Sequence, residues 1–151
     1  MEKSLKARTK RVPFLDLNKT YHGINTPLFS LKTEKSSGVG EFLDLIPLID
    51  WCKTLGFSIV QLLPLNDSGL DPSPYNALSA FALNPIFISL HALPFVSEKD
   101  LLPFQKLNDL PKLNYPEVLS LKMAFFKSYF DRYFSLIKED LSYKAFIDTH
   151  K

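Results

Sequence analysis

The stretch SIVQLLPLND, residues 58–67, decides the fold class together with the polar segment that follows it. Residues 59–65 are almost continuously apolar, and a run of this length bounded by turn residues predicts a short strand buried on both faces of a parallel sheet. Pro64 has no backbone N–H, so we expect the strand to end there. The following loop, residues 66–76, is polar, and α/β proteins bind ligands where parallel strands end. Tyr75 lies in this loop and is a candidate ligand platform.

A second strand and a helix precede this stretch. Residues 21–31 predict a short strand that ends near Pro27. Residues 42–55 predict a helix, because apolar side chains recur at helical spacing on one face; they are Leu45, Leu48, Ile49, Cys52 and Leu55. Strand, helix and strand form a βαβ unit with a right-handed crossover, so both strands end at the same edge of the sheet. The loops 30–40 and 66–76 are expected at that edge.

The predicted helix has recognisable ends. Asp44 is a candidate N-cap, Pro47 is tolerated in a first helical turn, and Gly56 suits the left-handed residue that ends many helices. Cys52 lies on the apolar face, so we interpret it as an inert core residue.

Beyond residue 93 prolines become frequent. Pro94, Pro103 and Pro111 predict a loop with short helical turns. A longer helix is expected from Asn114, as N-cap, to about Ile137. Its apolar side chains cover more than one stripe, which predicts burial on more than one side. A further apolar element begins at residue 143.

Composition limits the function classes. Hydrophobic residues make up 46% of the 151 residues, which is enough for a core. The net charge of +2 is too small to indicate nucleic acid as the main partner. No apolar run approaches the roughly 18 residues that cross a membrane. The basic residues near the N-terminus have no apolar segment behind them, and we interpret residues 1–20 as a solvated tail.

The residues alone select no catalytic chemistry. Four loop carboxylates belong to the predicted site edge (Glu34, Glu41, Asp67 and Asp71), but their spacing favours no pair, and solvated loop carboxylates are the default. The pair Gly38 and Gly40 lacks the third glycine of a dinucleotide fingerprint. Three histidines and one cysteine show no metal-ligand spacing. His91 is interpreted as a structural or exposed residue. These patterns indicate an α/β domain with an aromatic loop at its ligand edge.

An ordered series of motifs resembles the start of the 4-α-glucanotransferases, the amylomaltases or disproportionating enzymes. The resemblance runs from about residue 21 to the end of the chain. It comprises GI at 23–24, PLFSL at 27–31, GVG at 38–40, DW at 50–51, QLLPL at 61–65, SPY at 73–75, SAFA at 79–82, NP at 84–85 and LNY at 113–115, followed by Val118, Leu121 and Lys122.

The resemblance implies the N-terminal portion of a (β/α)₈ TIM barrel followed by the start of a helical insertion. Residues 1–20 are then a basic tail, 21–93 the first βαβ unit, and 94–151 a truncated loop and helical insertion. It also implies transfer of α-1,4-glucan segments between maltooligosaccharides by a retaining mechanism, without a metal or organic cofactor, in the cytoplasm. The catalytic carboxylates are expected from later strands, downstream of residue 151. Tyr75, and Ser73 more loosely, resemble residues that line the subsite beside the scissile bond.

Two positions depart from the family pattern. Val60 occupies a position where the family often has Trp, and Leu70 replaces an aromatic residue that some members use in a second glucan site, so no second site is assigned. We predict that the 151-residue chain is inactive alone. The alternatives are a non-catalytic α-glucan-binding module that uses Tyr75, and a decayed gene fragment without function. Neither membrane nor nucleic acid is an expected partner, and the sequence does not fix the oligomeric state.

Overall fold

The computed structural model describes residues 18–150, and a short parallel sheet lies near the start of this range. Strands β1 (Gly23–Thr26) and β2 (Ile59–Leu62) pair in parallel, and helix α1 (Leu45–Thr54) lies between them in the chain. The predicted parallel pairing of two strands joined through a helix is therefore confirmed. Most of the predicted basic tail, residues 1–17, lies outside the described residues.

Both strands are shorter than predicted. β2 ends at Leu62, before the predicted end at Pro64, although the N–H of Leu63 still donates to the carbonyl of Thr26 at 3.2 Å. The prediction that this strand is buried on both faces is wrong, since Gln61 is exposed and its strand neighbours are only half-buried. The described sheet has two strands, so each is an edge strand. After β1 the chain turns into a 3₁₀ segment, Leu28–Ser30, instead of continuing as a strand.

Helix α1 begins directly after Asp44, as predicted, but the Asp44 side chain does not cap it. A 3₁₀ turn, Phe42–Asp44, precedes the helix, and no hydrogen bond from α1 reaches the Asp44 side chain. Its carboxylate instead accepts the N–H of Glu41 at 2.7 Å and the hydroxyls of Thr33 at 2.6 Å and Ser36 at 2.8 Å. Asp44 therefore occupies the predicted N-cap position without making the capping hydrogen bond, because its carboxylate closes the loop that leads into the helix.

The other predictions for α1 are confirmed in part. Pro47 lies in the first turn and Gly56 follows the helix with φ of +80°, both as predicted. Cys52 is buried at 2% exposure, but Ile49 and Leu55 on the predicted apolar face are about half-exposed. The described residues therefore cover only part of that face.

A complete helix replaces the predicted broken segment after residue 93. Helix α2 (Glu98–Asn108) contains Pro103 in its interior. The Asp100 carboxylate accepts the N–H of Ser97 at 3.0 Å and so caps the first turn. Phe104 and Leu107, immediately after the proline, are buried. This burial and the cap offset the backbone hydrogen bond that Pro103 cannot make.

Helix α3 (Tyr115–Ile137) begins as predicted, with Asn114 as N-cap, and α4 (Leu141–Thr149) follows it. The apolar surface of α3 is buried only in part, so the predicted burial on more than one side is incomplete within residues 18–150. Val118 and Tyr129 are buried, whereas Met123 and Phe130 are about half-exposed. The main core joins α3 to the segments around β1 and after β2; its buried members are Leu28, Val39, Ile86, Phe87, Leu107, Tyr115, Val118 and Leu119.

Candidate functional site

The loop after β2 is a closed structure whose two ends are joined by backbone hydrogen bonds. The N–H of Asp67 donates to the carbonyl of Ala82 at 2.9 Å, and the N–H of Asn84 donates to the carbonyl of Leu65 at 2.9 Å. Asn66 and Leu83 form an isolated antiparallel bridge between these two contacts. We call residues 66–84 the platform loop. Because its base is fixed, its tip has a defined position at the carboxyl end of β2.

Tyr75 lies at the centre of a β-turn in the platform loop. The N–H of Asn76 donates to the carbonyl of Ser73 at 3.3 Å, which places Pro74 and Tyr75 at the two central positions. Proline is favoured at the first central position because its φ is preset for the turn. The Tyr75 side chain is 70% exposed, and Ser73 is half-buried. The turn therefore presents an aromatic ring to solvent.

The Asp71 carboxylate spans this turn. One oxygen, Oδ1, accepts the N–H of Ser73 at 2.8 Å, and the other, Oδ2, accepts the side-chain amide of Asn76 at 2.7 Å. These hydrogen bonds, that from Asn76 first, lower the pKa of the Asp71 carboxyl below its usual range. Asp71 therefore acts as an ionised acceptor that connects the two residues flanking Pro74 and Tyr75.

Helix α3 supports the start of the platform loop through the buried Tyr115. Its hydroxyl donates to the carbonyl of Gly69 at 3.1 Å and accepts the side-chain amide of Asn84 at 3.0 Å. The Asn84 Oδ1 in turn accepts the N–H of Ile86 at 3.0 Å. One hydroxyl group thus connects the helix to both the early part and the end of the platform loop.

The other predicted site loop, residues 30–40, is largely internal. Residues 36–40 are buried, and a Cβ at Gly40 would overlap the carbonyl oxygens of Leu28 and Leu31. Gly38 has φ of +84°, and its Cα faces Leu107 and Val118. Close packing therefore explains both glycines. Lys32 also joins this loop to the end of α2, since its ammonium donates to the carbonyls of Asn108 at 2.5 Å and Leu110 at 3.1 Å.

A fully buried ion pair lies between the two halves of the chain. Lys122 on α3 donates to the Glu41 carboxylate and to the carbonyls of Ile86 at 2.5 Å and Ile88 at 2.9 Å, and neither charged side chain is exposed. Burial raises the pKa of the Glu41 carboxyl and lowers the pKa of the Lys122 ammonium, and the opposite charge of the partner counteracts both shifts. The three acceptors match the three N–H groups of an ammonium.

Sequence reasoning missed this pair and treated Glu41 as a solvated loop carboxylate by default, which is wrong. A signal was available, since Lys122 lies four residues after Val118 on the stripe of α3 that is buried. A lysine on such a stripe indicates either an uncovered face or a buried partner.

The remaining candidate residues lie in different environments. Asp67 accepts the N–H of Gly69 at 2.9 Å, and Glu34 is exposed. His91 is half-buried, and its Nδ1 is a buried atom without a hydrogen-bond partner among the described residues. Within residues 18–150 there is no group of three or more His, Cys, Asp or Glu side chains placed to hold a metal ion. None of the helices in that range combines the length and apolar character needed to cross a membrane.

Comparison with known proteins gives consistent similarities. A family model described as 4-alpha-glucanotransferase matches residues 26–151. The chain is 51% identical over 114 residues to the 4-alpha-glucanotransferase of Chlamydia muridarum, and the alignment covers 72% of this chain and 22% of that protein. The 4-alpha-glucanotransferase of Chlamydia pneumoniae is 50% identical over 116 residues, covering 74% and 22%. The 4-alpha-glucanotransferase DPE2 of Oryza sativa subsp. japonica is 33% identical over 138 residues, covering 85% and 15%. The chain thus spans about a fifth of the length of its chlamydial relatives.

Proposed function

Because the chain belongs to the 4-alpha-glucanotransferase family, we propose that it is the N-terminal part of an enzyme that transfers α-1,4-glucan segments between maltooligosaccharides. In this proposal β1, α1 and β2 form the first βαβ unit of a (β/α)₈ barrel, and the segment from residue 94 begins a helical insertion. The observation that supports it best is the exposed Tyr75 turn at the carboxyl end of β2, within the region matched by the family. This is the edge at which barrel enzymes bind their substrates.

Tyr75 is proposed as a glucan contact, with Ser73 beside it. The C–H groups on one side of a pyranose ring form an apolar patch, and an exposed aromatic face can pack against that patch. The phenol hydroxyl and the Ser73 hydroxyl can hydrogen-bond to sugar hydroxyls at the same time. A maltooligosaccharide or longer α-glucan is therefore the proposed substrate class.

The transfer chemistry itself is assigned to residues outside this chain. A retaining mechanism needs two carboxyl groups about 5 Å apart, one as nucleophile and one as acid. Near the predicted edge, the Glu41 carboxylate is buried against Lys122, while Asp67 and Asp71 accept hydrogen bonds from their own loop. We therefore propose that the catalytic carboxylates lie downstream of residue 151 and that the 151-residue chain is inactive alone. In line with the family resemblance, we also propose that no metal or organic cofactor takes part.

The inactivity is tested by incubating the purified 151-residue chain with maltotriose and separating the products by chromatography. No change in the oligosaccharide distribution is expected. Release of glucose together with longer oligomers would overturn this part of the proposal. Sequencing the nucleic acid downstream of the Lys151 codon tests the enzyme assignment: further barrel strands with acidic residues support it, and an immediate stop codon contradicts it.

The exposure of Tyr75 also favours a second candidate, a non-catalytic α-glucan-binding module. Titration of the chain with maltoheptaose separates the two. Saturable micromolar binding that is lost in Tyr75→Ala, in a gene that ends at residue 151, would favour the module. The third hypothesis, a decayed gene fragment, predicts neither binding nor turnover. For the enzyme we further propose a cytoplasmic location, with neither nucleic acid nor membrane as partner.

A further inference from the structure

The Asp71 carboxylate connects the two residues that flank the Pro74–Tyr75 turn centre, and this geometry suggests a role that the family assignment does not supply. We propose that Asp71 is a positioning residue that fixes the orientation of Tyr75 for contact with an α-glucan. The affinity part of this inference rests on the proposed function, namely that Tyr75 contacts the sugar. The orientation part does not, and a separate experiment tests each part.

The restraint on Tyr75 comes from hydrogen bonds more than from packing. The ring is 70% exposed, so few neighbouring side chains limit its movement. The backbone hydrogen bond across the turn is long, with 3.3 Å between the N of Asn76 and the carbonyl of Ser73. The two hydrogen bonds to Asp71, at 2.8 and 2.7 Å, are shorter and involve an ionised acceptor, which makes them the stronger restraints.

Asp71 is itself held by the buried Ser68. The Ser68 hydroxyl donates to the carbonyl of Asp71 at 2.7 Å, and the N–H of Asp71 donates to the carbonyl of Ser68 at 3.2 Å. Ser68 is only 5% exposed. A continuous set of hydrogen bonds therefore leads from a buried residue, through Asp71, to both sides of the exposed Tyr75. These hydrogen bonds hold the turn from which the Tyr75 ring projects, so less freedom of this segment is lost when the ring binds a sugar.

The same loop offers a matched control. Asp67 lies in the platform loop eight residues before Tyr75, and its carboxylate accepts the N–H of Gly69 at 2.9 Å. Asp67→Ala therefore removes one negative charge and one loop hydrogen bond without touching the residues that flank Tyr75. Comparison with Asp71→Ala separates positioning of the ring from a general loss of charge or loop order.

The first experiment measures orientation without any ligand. NMR order parameters of the Tyr75 and Asn76 amides, and the ¹³C relaxation of the Tyr75 Cβ, are compared in the wild-type chain, Asp71→Ala and Asp67→Ala, with thermal unfolding as a check on the fold. We expect Asp71→Ala to lower the order parameters at these two residues while the unfolding midpoint changes little. Unchanged order parameters, or an equal loss in Asp67→Ala, would overturn the positioning role.

The second experiment measures affinity by titrating the 151-residue chain with maltoheptaose. We expect Asp71→Ala to bind about threefold to tenfold more weakly than wild type, corresponding to the freedom of one more mobile side chain. In the Tyr75→Ala background, Asp71→Ala should have no further effect, because it acts through the ring. A further weakening in that background would overturn this route of action. If Tyr75→Ala binds like wild type, the proposed glucan contact is wrong. The NMR order parameters then still decide whether Asp71 positions Tyr75.

Discussion

Replacement of the buried Lys122 by methionine is expected to destabilise the folded chain strongly. Methionine has a similar length and is apolar, so Lys122→Met removes the charge without leaving a large cavity. The Glu41 carboxylate then remains at 0% exposure without its cation, and the carbonyls of Ile86 and Ile88 lose their donor. Removing one partner of a buried pair costs about 3–5 kcal/mol. Since a whole domain is stabilised by only about 5–15 kcal/mol, the variant should lose a large part of its stability.

Urea unfolding followed by circular dichroism measures this loss. Lys127→Met is the matched control, since Lys127 is an exposed residue of the same helix, and exposed substitutions change stability by about 0.5 kcal/mol or less. The double variant Glu41→Gln/Lys122→Met should be less destabilised than the sum of its single variants, because no unpaired charge remains buried. A loss in Lys122→Met no greater than in Lys127→Met would refute this account of the pair.

The pH dependence of Lys122→Met gives an independent check. Burial raises the pKa of Glu41 above its ordinary value of 4.5, and removal of the neighbouring ammonium raises it further. The folded variant therefore binds a proton that the unfolded chain has released. Its stability should fall as the pH rises from about 4.5 towards neutrality. Glu41→Gln/Lys122→Met lacks the carboxyl and should not show this fall.

Three further predictions concern the loops around the site. Gly40→Ala should unfold at lower urea concentration than wild type, because the new Cβ overlaps the carbonyl oxygens of Leu28 and Leu31. The comparison variant Gly56→Ala meets no atom within 4 Å and should cost only about 1–2 kcal/mol for its left-handed backbone. Tyr115→Phe should cost about 1–3 kcal/mol in the same assay, because it leaves the Gly69 carbonyl and the Asn84 amide unpaired; an unchanged midpoint would contradict this. The pKa of Asp71 is lowered from 3.8, so its carboxylate should hold the Tyr75 turn at neutral pH. Protonation as the pH falls below about 3.8 should release the turn, observed as sharpening of the Asn76 side-chain NMR signals.

Local features of the fold were predictable because short-range chemistry determines them. Asn114 and Pro116 mark the start of α3, Gly56 ends α1, and the apolar run before Pro64 contains β2. The parallel pairing followed from a helix placed between two short apolar runs. The exposed position of Tyr75, in a turn set by Pro74, was likewise accessible from sequence.

The features that were missed depend on residues far apart in the chain. Nothing local distinguishes the Asp44 carboxylate from an N-cap of α1, and its actual partners, Thr33 and Ser36, lie eleven and eight positions away. Pro103 predicted a break, but burial of Phe104 and Leu107 against other elements stabilises α2 around it. The partner of Lys122 is 81 positions away. Secondary-structure propensity reflects residues that are close in the chain, whereas the contacts of Asp44, Pro103 and Lys122 depend on the tertiary structure.

Helix α3 supports the platform loop at two places, which connects the stability of the chain to its candidate site. Tyr115 holds the carbonyl of Gly69 near the start of the loop, and Lys122, two turns further along α3, holds the carbonyls of Ile86 and Ile88 just after its end. The loop base is closed by its own backbone, and these two side chains connect it and the segment after it to α3. A substitution in the middle of α3 should therefore alter the position of Tyr75 without contacting it. The segment interpreted from sequence as the start of an insertion is, in the folded chain, a support for the proposed glucan platform.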